Sequence, residues 1–123
     1  MKLTEIAKNL FRWNSAHLTK DAVLKKSDIG LFFAPAFKVE ANGRHYDANH
    51  DNYFDFLNQF RSSIRSIDYD YHDFIEHEDK LIIAFTAYIV RIHGESENFE
   101  AILILQLNKD HKIVLWHEVY VRI

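Results

Sequence analysis

Trp116, Glu118 and Tyr120 alternate in the string Trp116-His117-Glu118-Val119-Tyr120, close to the C-terminal end of the chain. In a strand, side chains two apart share a face, so this spacing sets a carboxylate between two large aromatic rings. Enclosure by rings strips water from a carboxylate, disfavours its charged form and raises its pKa, which suits it to general acid or base work near neutrality. The plainer alternative is a glutamate that faces solvent or pairs with an arginine. Two other groups are candidates to work with it. His17 follows Trp13 at helical spacing, either as a proton partner for Glu118 or as a core histidine whose ring nitrogens find backbone partners. Asp73 alternates with Tyr69 and Tyr71, which turns it to the same side as those rings unless a bulge around His72 to Phe74 reverses it. Otherwise Asp68, Asp70 and Asp73 are solvated strand charges. Arg44 and Arg91 are available anion partners near strand ends.

The elements that must position these groups are legible from periodicity. Leu3, Ile6, Leu10, Trp13 and His17 recur at three- and four-residue spacing, with Ala7 beside them, and predict an amphipathic helix over 3–18. Thr19 or Asp21 is placed to cap a short second helix over 22–26, followed by a loop at Ser27, Asp28 and Gly30. Leu31 to Ala34 and Phe37 to Ala41, interrupted by Pro35, read as an edge strand, because proline cannot donate to a central ladder. Asn42-Gly43 is a two-residue hairpin turn that returns the chain through Arg44, His45 and Tyr46. Asn49 or Asp47 caps the main amphipathic helix, whose apolar face carries Tyr53, Phe56, Leu57, Phe60 and Ile64. From Ile67 the period switches to two, and four strands are expected over 67–76, 81–93, 98–107 and 112–122, joined by short polar turns as an antiparallel meander.

The chain has 123 residues, 48% hydrophobic and 15% aromatic, enough for one core, and a single domain over 1–123 is expected. With no cysteine, there is neither a disulfide framework nor a thiolate nucleophile or metal ligand, which fits a reducing compartment. A net charge of −3 argues against a nucleic-acid surface, and the aromatic residues have no basic track beside them. The eight histidines are scattered, without a two-histidine helix motif, so no metal and no cofactor is expected. The N-terminal stretch is amphipathic rather than a secretory signal, and Leu81 to Val90 is too short for a transmembrane helix; no membrane partner is expected and a cytoplasmic location is the default. Leu81 to Val90 and Ala101 to Leu107 are apolar on both faces, which a sheet with one solvated face would not be. A second copy of the sheet is the economical cover, so a homodimer packed through the outer sheet face, by Ile102, Ile104, Leu115 and Val119, is expected.

The order of these elements and several short strings resemble the nuclear transport factor 2-like superfamily and, within it, the SnoaL-like proteins. The strings are Ala36-Phe37-Lys38-Val39-Glu40-Ala41-Asn42-Gly43-Arg44, Asp79-Lys80-Leu81-Ile82-Ile83-Ala84-Phe85-Thr86, and Lys112-Ile113-Val114-Leu115-Trp116-His117-Glu118-Val119-Tyr120. The resemblance covers nearly the whole chain. It implies an α+β fold in which N-terminal helices pack on a strongly curved antiparallel sheet, forming a cone-like barrel with an internal apolar pocket, and frequent dimerisation through the sheet. It does not imply one activity, since such folds host isomerases, cyclases, epoxide hydrolases and dehydratases as well as non-catalytic binding domains. The two aspartates of ketosteroid isomerases fall here on Ala41 and Leu103, which disfavours that mechanism. The Trp-Arg-Asp string of limonene epoxide hydrolases matches Trp116-His117-Glu118 in type at two of three positions, but the earlier-strand Arg and Asp have no counterpart between Ile82 and Ile89. Glu118 is also the nearest match to the late acidic base of SnoaL-type cyclases.

Two functions of different class follow as expectations. One is a dimeric domain that binds a small apolar molecule, with Trp13, Tyr69, Tyr71, Phe85, Leu103, Trp116 and Tyr120 lining its pocket. The other is a small-molecule isomerase, cyclase or hydrolase in which Glu118, with His17 or Asp73, moves a proton.

Overall fold

The period-two run in the second half of the chain forms four long antiparallel strands, and the first half supplies the helices that cover one of their faces. A computed structural model describes residues 2–123. Its elements, in order, are α1 (Leu3–His17), α2 (Lys26–Ile29), β1 (Phe33–Ala41), β2 (Arg44–Asn49), α3 (His50–Arg61), β3 (Ile64–His77), β4 (Lys80–Arg91), β5 (Ser96–Leu107) and β6 (Ile113–Arg122). The strands form one sheet in the order β2-β1-β6-β5-β4-β3. It curls around the helices without closing, so the expected barrel is an open cone with β2 and β3 as its edges. The pairing is antiparallel except between β1 and β6, which run parallel.

That parallel pair corrects the placement of the proline strand, since β1 lies inside the sheet rather than at its edge. Pro35 is accommodated because it falls within the register shift between Phe33 and Lys38 on the β6 side, and pairing with β2 starts only at Ala36. At the β1–β2 turn both Asn42 and Gly43 have positive φ, at 50° and 83°, the combination that a two-residue hairpin matching the strand twist requires.

α1 buries Leu3, Ile6, Ala7, Leu10, Phe11 and Asn14. Its inward face is therefore rotated from the expected stripe: Phe11 and Asn14 take the place of Trp13 and His17. The helix lacks a side-chain cap of its own. Instead Glu76 on β3 accepts from the Leu3 backbone N–H at 3.0 Å and from the Thr4 hydroxyl at 2.9 Å, meeting the positive end of the helix with a carboxylate. α3 is capped locally, since Asn49 and Asn52 each accept the other's backbone N–H at 2.9 Å. The second helix falls at Lys26–Ile29 rather than at 22–26. Residues before it are held as a loop because Arg61, at the end of α3, donates to the carbonyls of Thr19 and Ala22. The core lies between the helices and the inner sheet face, around Phe11, Leu81, Ile83, Leu103, Leu105 and Ile113.

Candidate functional site

On β6 the alternation turns Trp116, Glu118 and Tyr120 to the concave side and leaves His117, Val119 and Val121 on the convex side. The three concave residues line a pocket of about 510 Å³ between the inner sheet face, α1 and α3. Its walls are mostly apolar: Phe11 from α1 and Leu18 just after it, Phe56, Leu57 and Phe60 from α3, and Val39, Ile67, Phe85, Ala87, Ile89 and Ala101 from the sheet. The rings are interlocked. Phe11 stacks on Tyr69 at 4.7 Å between centroids and packs against Phe85 at 5.1 Å, which fixes the floor on the α1 side.

A small set of polar groups converges in this apolar space. Glu118 is opposite Leu103 on β5 and Ala41 on β1. Its Oε1 accepts from Trp116 Nε1 at 3.3 Å, and no cation pairs with it among the described residues. Burial pushes the carboxyl pKa up, and the indole hydrogen bond opposes this only in part. The Tyr53 and Tyr69 hydroxyls are buried in the same cavity, and both titrate well above an ordinary tyrosine, first because they are desolvated and also because of the Glu118 charge. Tyr69 accepts from Asn14 Nδ2 at 3.3 Å, which leaves the phenol proton free to donate into the pocket. Glu118 and the two phenols thus form an acid-bearing patch in an apolar cone.

The rim carries the cations. Arg44, first residue of β2, donates from Nη2 to the Tyr120 hydroxyl at 3.3 Å. Arg91, at the end of β4, is held by Glu97 through Nε at 2.7 Å and by the Ser63 hydroxyl at 3.0 Å, and Glu97 also meets Arg122 at 3.3 Å.

Among the residues singled out from the sequence, Glu118, Tyr69, Phe85, Trp116 and Tyr120 meet at the pocket. Arg44 and Arg91 stand at its rim, whereas His17, Trp13, Asp73, Tyr71 and Leu103 do not line it. His17 is held outside, its Nδ1 3.1 Å from the Val23 carbonyl oxygen and its ring 5.0 Å from that of Trp13. It does not line the pocket that Glu118 faces. Trp13 lies on the same outward flank of α1, packed on Phe32, and its buried indole N–H has no partner among the described residues. Asp73 is exposed on the convex face, because a bulge at His72 shifts the β3–β4 register between Tyr71 and Asp73. Tyr71 stacks on Phe11 at 5.7 Å between centroids, and Leu103 is fully buried beneath the pocket wall.

Asn14, Arg44, Tyr46, Tyr53, Phe56, Phe60 and Phe99 line the pocket and were not singled out as lining. The α3 residues carried a signal, since Tyr53, Phe56 and Phe60 already formed its apolar face. Asn14 carried none, because an asparagine on an apolar helix face reads as a break in the stripe. No group of three or more His, Cys, Asp or Glu side chains among the described residues is arranged to hold a metal ion.

No protein-family model matches the chain, and no curated protein matches it. Solved structures do. An NTF2-like protein of unknown function from Exiguobacterium sp. 255-15 superposes with a TM-score of 0.71 at 17% identity, over 99% of this chain and 98% of that one. A putative SnoaL-like polyketide cyclase from Jannaschia sp. CCS1 gives 0.72 at 9% identity, over 98% and 84%. An epoxide hydrolase/cyclase-like enzyme of pyran ring formation in salinomycin gives 0.71 at 14% identity, over 97% and 90%. The chain has the nuclear transport factor 2-like, SnoaL-like fold. At these identities the likeness is one of fold, and activity must be read from the site itself.

Proposed function

We propose that this chain binds a small, predominantly apolar molecule in its cone. The observation that carries the reading is a 510 Å³ apolar pocket with a few converging polar groups, the usual constitution of a small-molecule site. The neutral fluorophore N-phenyl-1-naphthylamine tests it. Saturable binding to the wild type, lost in Ala101→Phe and Ala87→Leu variants that keep their circular dichroism, is expected. Absence of saturable binding to the wild type contradicts it.

A catalytic form of the same reading is favoured by one observation, the raised pKa of Glu118 beside the Tyr53 and Tyr69 hydroxyls. A carboxyl poised in this way can give a proton to a ligand oxygen or take one from an adjacent carbon, with a phenol stabilising the charge that develops. Isomerase, cyclase or hydrolase chemistry would then rest on Glu118, without His17 or Asp73.

The working unit in this proposal is a homodimer. Its support is the convex face, where Ile82, Ile102, Val119 and Val121 are neighbours across β4, β5 and β6 and stay exposed, with Ile102 at 47% and Val119 at 58%. Helices cover the other face only, so a second sheet is the cover of matching shape and chemistry. No helix among the described residues is long and apolar enough to cross a membrane.

A further inference from the structure

The charges at the pocket are unevenly balanced. Arg91 is already bound to Glu97, whereas Arg44 makes no ion pair among the described residues and spends one N–H on Tyr120. A guanidinium carries five donors, so most of this one remains available, including the fork that fits a carboxylate bidentately. Its position is fixed by built contacts. The Asn42 side chain accepts from the Tyr120 backbone N–H at 2.8 Å and donates to the Tyr120 carbonyl at 3.0 Å, tying the hairpin turn to β6. Arg44 therefore starts β2 against the same tyrosine that its side chain touches.

Register fixes the rest. Arg44 pairs with Ala41, and Ala41 pairs with Glu118, so the three lie in one cross-strand row along the concave face. Two interstrand spacings separate Arg44 from Glu118, on the order of 10 Å, with only the Ala41 methyl between them. A larger residue at Ala41 would narrow that passage. The exposed ring of Phe56 and the stacked Phe60 lie across the pocket on α3, and they offer apolar surface to a chain entering past the rim.

Resting on the pocket-binding reading above, we infer that the ligand is an amphipathic carboxylic acid: Arg44 holds its carboxylate at the rim, while its apolar body lies along the row past Ala41 toward Glu118. Arg44 acts as a specificity residue. It selects a ligand with one anionic end, and it sets which carbon of that ligand comes to rest at Glu118. The deep end suits the apolar or neutral part of the molecule, because a second carboxylate there would be placed among mostly apolar walls beside the Glu118 carboxyl.

Displacement of N-phenyl-1-naphthylamine by octanoate and by octan-1-ol, of equal chain length, tests the inference at pH 7.5 and low salt. Octanoate is expected to bind the wild type at least ten-fold more tightly than octan-1-ol. Arg44→Gln is expected to bring octanoate down to the affinity of the alcohol, and added sodium chloride to shrink the wild-type preference. Equal affinity of acid and alcohol for the wild type overturns the carboxylate assignment while leaving the pocket reading intact. A preference that survives Arg44→Gln overturns the role of Arg44 and passes it to Arg91. If the naphthylamine itself does not bind, the pocket reading fails and this inference falls with it.

Discussion

The two faces of the same strands have opposite fates. On β5, Leu103 points to the concave side and is completely buried, while its neighbour Ile102 points to the convex side and is about half exposed. On β6, Glu118 is a half-buried carboxyl facing a mostly apolar pocket, while Val119 is an apolar residue in water. Hydrophobicity along the strands does not distinguish the faces, because both are rich in it. Coverage does: α1 and α3 desolvate one face and raise the pKa of the carboxyl on it, while the other face keeps an apolar surface exposed.

The largest effect that separates the faces is thermodynamic. Leu103→Ala removes a fully buried side chain and is expected to cost about 2–5 kcal/mol in urea unfolding. Ile102→Ala, one residue away, is expected to change the unfolding of the isolated subunit by less than about 1 kcal/mol. Equal losses would remove the distinction between core and convex face. The next effect is on assembly. Ile102→Lys puts a charge in the centre of the convex patch, and sedimentation velocity is expected to show dimer in the wild type and monomer in the variant, with the fold retained. A wild type that is monomeric at all concentrations would break the homodimer proposal.

A smaller effect distinguishes the two faces by pH. Because Glu118 titrates higher in the folded chain than in the unfolded one, the folded state holds its proton over a pH range in which the unfolded state has released it. Its contribution to stability is greatest below the unfolded glutamate pKa of about 4.3 and falls as pH rises through the folded value. Glu118→Gln is therefore expected to flatten this part of the stability–pH curve and to be more stable than the wild type, relative to acid pH, at and above neutrality. Chemical denaturation across that range checks the sign.

What could be read from the sequence followed the range of the interaction. Alternation is local, so the direction of Trp116, Glu118 and Tyr120 was legible from three residues on one strand, and the four-strand meander from the switch in period. Asp73 depended on one extra residue, since a bulge at His72 inverts the face of everything before it relative to everything after. The rotation of α1 depended on a partner distant in sequence: Asn14 turns inward because the Tyr69 hydroxyl awaits it. His17 turns out for a similar reason, taken by the Val23 carbonyl. Arg44 and Tyr53 reach the pocket through the parallel β1–β6 pairing and the seat of α3, neither of which has a local signature. Pro35 pointed to an edge, but a register shift within the sheet met the same need of an absent N–H.

The difference between the two faces is sharpest in the pKa of Glu118 in the folded protein. A carboxyl-carbon NMR titration, with the signal assigned by its loss in Glu118→Gln, is expected to place it well above the ordinary glutamate value of about 4.3. A value at or below that would put the carboxylate in water or in an ion pair, and would contradict the desolvated carboxyl on which the catalytic form of the proposed function rests.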